Sequence, residues 1–582
     1  MAGGIHKVRR HIWVGAVKES RQTGQPSQEI FDREMAAVRE SIGRSAEFEA
    51  RRQRERDESA ERREAEARRL SRRQLLKRGA GTAVAAGAAS AFSANILLPS
   101  RASAVTAPRV VVVGAGNAGL TAAWRMFKGA GWPVQVYEAR TRVGGRTWTD
   151  KSYFNAKQWF EHGGGGVNTN EKAGYQSDGI GALINELGMG SMYDLWLNYP
   201  NGGDQYFFNG ADGLDDSAYT AAENAASSQF DQSVWPFTYA SQNAFNRQYA
   251  GMTATQWIDA YVPEGMTGSA GKDIAYAMTG GEYGARPDDI SAFHLIADLG
   301  TTTQVFPYRR STYDERWGVP GGNDNVAKTI ASKLPAGSVH LGQQLVAVKQ
   351  NTDNTYTLTF SSGGVLSQVV CDYVFLAVPT GKVIQAVDMT QAGLSALKLA
   401  SFQKPNGTNS KITLQFTDQV WGANSYSGDV ESDTVVSEGW QASYINTNGT
   451  YGGSSFAPPL QVVLNNADYS AYPDHGPAPA AVVSQILAAD DALYPSPKAS
   501  ASFNGKAYLD NWVNDPFAGG SYCYYRPGQW AAFGGYEATA EGGVYFCGEH
   551  TAPYAERGMM SGAVKSGNIA ARALLAKFGI TA

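Results

Sequence analysis

Cysteine is nearly absent from this chain of 582 residues, in which only Cys371, Cys523 and Cys547 occur. An odd and sparse set gives no disulfide framework. No CxxC or HxxxH pair is present either, so we expect no metal site and no metal catalysis. Wholesale disorder is excluded as well, because it requires low hydrophobicity and high net charge, whereas hydrophobic residues make up 43% of the chain.

Clustered positive charge is missing from most of the chain. Residues 1–104 hold 21 Lys and Arg against 13 Asp and Glu, whereas residues 105–582 hold 29 against 41. An acidic body is a poor match for nucleic acid, which binds clustered Lys and Arg. We therefore expect no nucleic-acid partner, and the basic head predicts a targeting segment.

A long and strongly apolar run is also missing. Residues 79–98 are mostly Ala and Gly, so their insertion as a membrane helix, the competing interpretation, would be weakly favourable at best. The run follows the paired arginines of SRRQLLK (71–77) and leads to Ala-Ser-Ala at 102–104. This order resembles a twin-arginine signal, which implies export of the folded protein by the twin-arginine machinery.

We assign 71–104 to this signal, so we expect a periplasmic or extracellular protein with no stable membrane span in its mature chain. Residues 1–70 form a charged extension, for which we expect disorder or helix without a packed core.

What the chain does contain is a dinucleotide fingerprint in its full context. The order is strand 109–113, GAGNAG at 114–119, helix 120–128, strand 134–137 and Glu138. Gly114 permits the tight turn, Gly116 lets a pyrophosphate approach the backbone, and Gly119 lets the helix pack on the strand. The helix N-terminus offers free N–H groups to phosphates, and Glu138 is placed to accept hydrogen bonds from a ribose.

Three further segments resemble the FAD-dependent amine oxidase family, which includes monoamine oxidases and L-amino-acid oxidases. They are EARTRVGGRT (138–147), FEHGGGGVN (160–168) and VYFCGEH (544–550), the last followed by a predicted helix at 558–575. The resemblance implies FAD rather than NAD, with the glycines of the second segment passing the isoalloxazine; a flexible loop is the alternative for that segment. Beyond the fingerprint, it implies FAD contacts from Arg140, Gly145, Arg146, Gly164, Gly165, Val346, Glu549 and Met560.

These segments lie at both ends of the chain, yet they must build one pocket. We therefore predict an α/β fold of mixed α+β character, with a discontinuous Rossmann-like FAD-binding domain and an inserted substrate domain of sheet plus helices. The FAD-binding domain takes 105–174, 316–400 and 523–582, and the substrate-binding domain takes 175–315 and 401–522. Within the former, we expect strands at 340–349, 356–360 and 373–378.

The segment NWVNDPFAGGSY (511–522) resembles the part of the family that lies beside the flavin. The resemblance implies that Trp512 packs on the ring system and that Tyr522 forms one wall of an aromatic cage for the amine; ordinary core aromatics are the alternative. Met559 stands at the second wall, which is usually aromatic. Ser521 stands where some members carry the cysteine that bonds to flavin, which implies non-covalent FAD.

Two further departures bear on the chemistry. The family often places a lysine that holds water at flavin N5, and our alignment puts Gln385 there, which puts reactivity with oxygen in doubt. Lys382, three residues earlier, is a candidate for that role, and an ordinary surface lysine is the alternative for it. The amino-acid oxidase branch pairs the substrate carboxylate with an arginine near the Gly-rich segment. Residues 164–167 hold no arginine, which favours amines, although Arg309, Arg310 or Arg526 could supply that pairing.

The sequence thus predicts an exported FAD-dependent oxidase that removes a hydride from the carbon bearing an amine. The imine hydrolyses to an aldehyde or ketone, and O₂ accepts the electrons to give H₂O₂. An L-amino-acid oxidase giving a 2-oxo acid is the first alternative. A flavoprotein dehydrogenase or accessory electron-transfer protein that uses another acceptor is the second.

Overall fold

A computed structural model describes residues 107–167, 179–195, 203–208, 210–212, 249–262, 279–281, 283–296, 315–442, 459–553 and 556–581. The charged extension and the export signal lie outside these residues, as do Arg309 and Arg310. Among the described residues, no helix has both the length and the apolar character that a membrane crossing requires.

Strands and helices alternate irregularly along the chain. The strands are β1 (Val110–Val113), β2 (Gln135–Tyr137), β3 (Thr149–Asp150), β4 (Phe160–Glu161), β5 (Tyr193–Asp194), β6 (Gly203–Phe208), β7 (Ala211–Asp212), β8 (Trp317–Gly318), β9 (Val339–His340), β10 (Gln344–Gln350), β11 (Tyr356–Ser362), β12 (Val365–Cys371), β13 (Tyr373–Leu376), β14 (Asp388–Gln391), β15 (Ser410–Phe416), β16 (Tyr426–Ser432), β17 (Glu438–Gln441), β18 (Leu460–Asn465), β19 (His475–Pro477), β20 (Phe503–Asp510) and β21 (Val544–Phe546). The α-helices are α1 (Asn117–Ala130), α2 (Ile180–Leu187), α3 (Ala254–Tyr261), α4 (Asn325–Lys333), α5 (Lys382–Gln385), α6 (Ala396–Ser401), α7 (Val420–Ala423), α8 (Ala480–Leu493), α9 (Ala499–Ser502), α10 (Gln529–Phe533) and α11 (Met560–Lys577).

A parallel five-stranded sheet, which we call the flavin sheet, has the order β21-β13-β1-β2-β9. The side chains of β1 alternate between two cores: Val110 and Val112 pack with α1 and α11, and Val111 and Val113 pack toward β10 and β11. Burial on both faces explains why β1 is an unbroken apolar run. The mixed α/β fold class is confirmed; α1 is longer than the predicted helix at both ends, and α11 begins and ends two residues later than predicted.

A four-stranded sheet, β12-β11-β10-β14, covers the second face of the flavin sheet. The single strand predicted at 340–349 is wrong. It divides into β9 and β10 around Gly342, whose φ of 67° breaks the extended run. Val346 lies in β10 where the register with β11 shifts between Leu345 and Ala347.

An eight-stranded sheet, which we call the substrate sheet, has the order β19-β20-β15-β18-β17-β16-β6-β7. Its central strand β15 is buried along its whole length and pairs antiparallel with β18 and β20. All of these strands come from 175–315 and 401–522, and those of the flavin sheet come from 105–174, 316–400 and 523–582. The division into two interleaved domains stays a prediction.

Candidate active site

The turn between β1 and α1 is shaped by glycines with different tasks. Gly114 has a φ of 103°, and a Cβ added there would lie 2.6 Å from the carbonyl oxygen of Ala377. A Cβ added to Gly119 would lie 2.0 Å from the carbonyl oxygen of Gly114. At Gly116, by contrast, the nearest atom would be 4.0 Å away. Gly114 and Gly119 are therefore required by the fold, and Gly116 leaves open space in front of the helix N-terminus.

Glu138 holds this turn from the end of β2. The side chain is buried; Oε2 accepts a hydrogen bond of 2.7 Å from the backbone N–H of Ala115, and Oε1 accepts one of 2.9 Å from the backbone N–H of Arg140. The guanidinium of Arg140 donates to Asp515 Oδ1 at 2.6 Å. Glu138 therefore lies where the fingerprint predicts, and the charge of Arg140 is engaged by a protein carboxylate.

The second glycine loop and the end of the chain meet at the same turn. The backbone N–H of Gly144 donates to the carbonyl of Ala115 at 2.9 Å, and a Cβ on Gly145 would stand 3.4 Å from Cα of Gly116. Arg146 Nη1 donates to Glu549 Oε1 at 3.0 Å. Segments that are far apart in sequence thus converge on one cradle.

Glu549 is an ionised acid inside this cradle. The residue is only 6% exposed, and burial by itself would raise its pKa, but the nearby cations, Arg146 first among them, lower the pKa to about 2. The backbone N–H of Gly558 also donates to Oε2 at 3.0 Å. The open glycine backbone, the helix N-terminus, one acceptor carboxylate and one cation together fit the phosphate and hydroxyl groups of FAD.

The Gly-rich segment is tightly packed and hydrogen-bonded, which favours a fixed element over a flexible loop. A Cβ on Gly163 would lie 1.9 Å from the carbonyl oxygen of Arg146. The amide of Asn323 donates to the carbonyls of Gly164 and Gly165 at 2.9 and 3.0 Å. These contacts hold the backbone in place on both sides.

A buried lysine that sequence reasoning missed lies against this segment. Lys411, in β15, is 4% exposed, and its Nζ donates to the carbonyl of Gly163 at 2.9 Å. Burial lowers its pKa, opposed by the charge of nearby carboxylates such as Asp510 and Glu161. The strand reads SKITLQF, in which polar and apolar residues alternate, so the pattern by itself would place Lys411 on a solvent-facing side and carries no signal for its burial.

The two residues that our alignment offered for the role of the lysine at flavin N5 do not lie in β15. Lys382 and Gln385 are exposed at the two ends of the short helix α5. Gln385 Nε2 donates to the carbonyl of Phe402 at 3.1 Å. The lysine that contacts the Gly-rich segment comes from β15 of the substrate sheet and not from the loop after β13, and the roles of Lys382 and Gln385 stay predictions.

Of the two predicted aromatic residues, Trp512 lies against the Gly-rich segment and Tyr522 is anchored at Gly281. Trp512 is buried, and its Nε1 donates to the carbonyl of His162 at 3.1 Å, just before Gly163. The hydroxyl of Tyr522 donates to the carbonyl of Gly281 at 2.7 Å.

Two methionines, Met559 and Met560, stand at the N-terminus of α11. A Cβ added to Gly558 would lie 3.6 Å from Cβ of Tyr522, and Met559 follows Gly558 in the chain. A Cβ on Gly164 would be 3.0 Å from Met560 Sδ. Met560 therefore lies beside the Gly-rich segment, and the role of Met559 in the cage stays a prediction.

The described residues also contain two groups of possible metal ligands, which the search for spaced pairs could not detect. They are His162, His475 and Asp510, and Asp474, His475 and Asp515, with ligand atoms within 4.8 Å of one another. His162 Nδ1 and His475 Nδ1 both contact Asp510 Oδ1 at 2.7 Å, and His475 Nε2 contacts Asp515 Oδ2 at 2.9 Å. These distances are those of hydrogen bonds.

Comparison with known proteins agrees with this site. The profile of the family "flavin containing amine oxidoreductase" matches residues 117–575. Over 488 residues the chain is 24% identical to amine oxidase [flavin-containing] A of Sus scrofa, covering 81% of this chain and 85% of that protein. Over 493 residues it is 23% identical to the L-amino-acid oxidase of Pseudechis australis, covering 80% and 86%.

A solved structure of putrescine oxidase bound to putrescine shares the fold. Its TM-score is 0.65 at 22% identity, over 81% of this chain and 99% of that one. The match of the family profile over most of the chain, together with a cradle that fits FAD, assigns the cofactor and the reaction class. The chain belongs to the flavin-containing amine oxidoreductases, FAD-dependent enzymes that act on CH–NH groups.

Proposed function

We propose that the chain is an exported oxidase of amines that lack an α-carboxylate. An amine, O₂ and water would give a carbonyl compound, ammonia or a smaller amine, and H₂O₂. When bound, FAD supplies the acceptor for the hydride that leaves the carbon bearing the amine. The signal at 71–104 supports export, and the other arguments come from the site.

The contact between Lys411 Nζ and the carbonyl of Gly163 is the observation that carries the proposal. It places a buried cation against the segment that the family resemblance assigns to the isoalloxazine. A preorganised donor in a water-poor site can hold a water molecule or stabilise negative charge, as reduction of O₂ requires. Lys411 can therefore fill the role for which our alignment offered only Gln385. Its presence supports reactivity with O₂ and disfavours an accessory electron-transfer protein.

Trp512 and Tyr522 would orient the amine. The hydroxyl of Tyr522 is anchored at Gly281, so its ring is held in one place. Aromatic walls exclude water, which disfavours a charged ammonium, and they leave the neutral amine that can lose a hydride.

Gly166 and Glu315 favour amines over amino acids. A Cβ on Gly166 would lie 1.9 Å from the carbonyl oxygen of Glu315, so no side chain can project from this position. The neighbouring Glu315 is itself an acid; burial raises its pKa, opposed by the charge of Lys411, and in its ionised form it would repel a substrate carboxylate. Arg526 is exposed. An L-amino-acid oxidase remains the second candidate because Lys411 is a buried cation in this region and one relative bears that name.

Ser521 supports non-covalent FAD. Its hydroxyl donates to Asn409 Oδ1 at 2.8 Å, and serine cannot form the thioether that a cysteine forms. Cys523 is the nearest thiol in sequence, and burial raises its pKa to about 12, so it is an unreactive thiol.

Anaerobic reduction of the purified yellow protein tests the proposal. We expect a primary or secondary amine to bleach the flavin absorbance, and the amino acid of the same side chain to leave it unchanged. Admission of air should restore the colour and release H₂O₂. Bleaching by amino acids alone would establish the second candidate. A bleached protein that air reoxidises slowly and a dye quickly would establish the dehydrogenase.

A further inference from the structure

One buried amide joins three segments of the chain beside Tyr522. Asn409 lies directly before β15 and is 2% exposed. Its Nδ2 donates to the carbonyls of Gly280 and Gly281 at 3.1 and 2.6 Å. Its Oδ1 accepts a hydrogen bond of 2.8 Å from the hydroxyl of Ser521. Three segments that are far apart in sequence therefore meet at one side chain.

The same amide also holds the hydroxyl of Tyr522. Asn409 Nδ2 donates to this oxygen at 3.2 Å, and the hydroxyl in turn donates to the carbonyl of Gly281 at 2.7 Å. The proton of the phenol is therefore committed to a carbonyl, and one of its lone pairs is committed to an amide. The hydroxyl of Tyr522 is thus occupied by the protein, which leaves the ring as the part that can contact a substrate.

The chemistry of these partners fixes which way the amide points. Backbone carbonyls only accept hydrogen bonds, so the nitrogen of Asn409, and not its oxygen, must face Gly280 and Gly281. The oxygen then faces Ser521, whose hydroxyl donates to it. Because Ser521 and Tyr522 are neighbours in the chain, the amide holds two successive side chains, one through its oxygen and one through its nitrogen.

Close packing leaves this amide little room to move. A Cβ on Gly284 would lie 1.5 Å from Asn409 Oδ1, and one on Gly407 would lie 2.9 Å from the same atom. The backbone N–H of Gly407 donates to the carbonyl of Tyr522 at 2.7 Å, and the N–H of Ser521 donates to the carbonyl of Gly407 at 2.9 Å. The position of the amide is therefore set by the backbone of the loop that carries Tyr522.

We infer that Asn409 is a positioning residue that acts on the substrate through the ring of Tyr522. A wall held in one orientation keeps the carbon bearing the amine where its hydride can leave, and a misplacement of about 1 Å can lower such a rate by about 100-fold. The inference rests on the proposed function in one respect, which is that Tyr522 lines the substrate site. It adds a residue that neither the motifs nor the family resemblance singled out.

Reduction of the flavin by the amine and its reoxidation by O₂ respond differently to this role. Displacement of the Tyr522 ring slows reduction and weakens amine binding. Reoxidation depends instead on Lys411, whose Nζ bonds to Gly163. A general loss of folding would lower both rates and the FAD content together, whereas the loss of a positioned wall lowers only the rate of reduction.

The test is a double-mutant cycle on anaerobic flavin reduction by an amine, measured by stopped-flow absorbance. Asn409→Ala removes the amide, and Tyr522→Phe removes only the hydroxyl that the amide holds. We expect Asn409→Ala to lower the ratio of the reduction rate constant to the amine dissociation constant about 30-fold by itself, but only about threefold in the Tyr522→Phe background. The rate of reoxidation by O₂ and the FAD content should equal those of the unchanged protein.

Tyr522→Phe by itself tests the anchor if Asn409→Ala does not fold. It deletes one oxygen, and that oxygen is bonded to the protein, so a lost bond to the substrate does not explain its effect. We expect reduction to slow about tenfold, with reoxidation unchanged. A Tyr522→Phe variant that is reduced as fast as the unchanged protein would overturn the inference.

Asn465→Ala is the matched control within the substrate sheet. Asn465 is 1% exposed, and its Nδ2 also donates to a carbonyl, that of Val435 at 2.8 Å, and to a tyrosine hydroxyl, that of Tyr469 at 3.0 Å. Both partners belong to the apolar core around α8. We expect Asn465→Ala to lower the free energy of unfolding, as Asn409→Ala does, and to leave the rate of flavin reduction unchanged.

Two further results would overturn the inference. One is an Asn409→Ala effect of equal size in both backgrounds, because the amide would then act independently of the Tyr522 hydroxyl. The other is an equal loss of reduction in Asn465→Ala, which would make the effect one of stability alone. The proposed function fails separately, if only amino acids bleach the unchanged protein; the same cycle, run with such an amino acid, then still tests Asn409.

Discussion

The flavin sheet and the substrate sheet place their functional residues in different ways. In the flavin sheet, the functional positions are glycines within a few residues of a strand end, at Gly114, Gly116 and Gly119. In the substrate sheet, Lys411 comes from a central strand, while Trp512 and Tyr522 come from the loop that follows β20.

The difference is one between backbone and side chain. A tight turn against a strand allows only glycine at particular positions, so the requirement appears in the sequence as a short, spaced motif. Lys411 needs only to be a lysine somewhere on a buried strand that passes Gly163, and many spacings would satisfy that need. A cofactor site made of backbone can therefore be predicted from sequence motifs, whereas a pocket made of side chains cannot.

Replacing glycines of the turn between β1 and α1 with alanine tests whether the backbone of this turn sets the cofactor site. This change should give the largest effect. A Cβ on Gly119 would lie 2.0 Å from the carbonyl oxygen of Gly114, so α1 must move away from β1. We expect Gly119→Ala to lower the free energy of unfolding of the apoprotein by about 3 kcal/mol and to abolish FAD retention. Urea unfolding and flavin absorbance would measure both.

Gly116→Ala is the matched control, because its Cβ would have no neighbour closer than 4.0 Å. We expect the apoprotein to keep its stability within about 0.5 kcal/mol while FAD binding weakens, since the added methyl group occupies the space left for the ligand. Equal losses of stability in the two variants would contradict this separation of roles.

Lys411→Met tests whether a side chain of the substrate sheet sets the reactivity with O₂. It should give the next largest effect. Methionine has a similar volume and removes the buried charge, so we expect the protein to fold and to bind FAD. Reoxidation of the reduced flavin by O₂ should slow by about 100-fold, the usual cost of removing one preorganised donor. Stopped-flow absorbance after anaerobic reduction measures this rate.

Lys382→Met makes the same chemical change at an exposed lysine, three residues before the position that our alignment gave to Gln385. We expect its reoxidation rate to equal that of the unchanged protein. The reverse result, with Lys382→Met slow and Lys411→Met fast, would give the role to Lys382 and remove the main support that Lys411 lends to oxidase activity.

Short sequence motifs predicted the fold and the cofactor site but only part of the substrate pocket. The mixed α/β fold and the converging segments at Gly114, Gly145 and Glu549 followed from short motifs, because each glycine or acid meets a local backbone requirement. The contact of Lys411 with Gly163 could not be predicted, since no spacing rule connects a strand of the substrate sheet with the Gly-rich segment. The hydrogen bond between His475 and Asp510 could not be predicted either, since it depends on the pairing of β19 with β20, which leaves no local motif.

Glu315→Gln tests the preference for amines and should give a smaller effect. The substitution keeps the size of the side chain next to Gly166 and removes its acidity. We expect kcat/KM for an amine to change little and the rate with the matching amino acid to rise about tenfold, or about 1.4 kcal/mol. Asp388→Asn, at an exposed acid of the four-stranded sheet, is the control for loss of one negative charge. An unchanged ratio between the two substrates would remove Glu315 from the specificity argument.

Asp490→Asn tests whether burial of an acid destabilises the substrate sheet more than the flavin sheet, and it should change stability without changing activity. Asp490, in α8, is buried and accepts one hydrogen bond of 3.1 Å from Gln461 Nε2 in β18. Burial raises its pKa from an ordinary 3.8 to about 7, with a smaller contribution from Asp491. In the flavin sheet, the buried Glu138 accepts two backbone hydrogen bonds instead.

A raised pKa means that the folded protein holds this proton more tightly than the unfolded chain does. The stability contributed by protonated Asp490 is therefore complete below about pH 4 and is lost as the pH rises through about 7. Asparagine is neutral throughout, so the free energy of unfolding of Asp490→Asn should exceed that of the unchanged protein by on the order of 2 kcal/mol at pH 8, and by little at pH 4. Asp491→Asn, at the less buried neighbour, should show no gain that grows with pH. If Asp490→Asn also shows none, the carboxyl is ionised at no cost, and the two sheets satisfy their buried acids equally well.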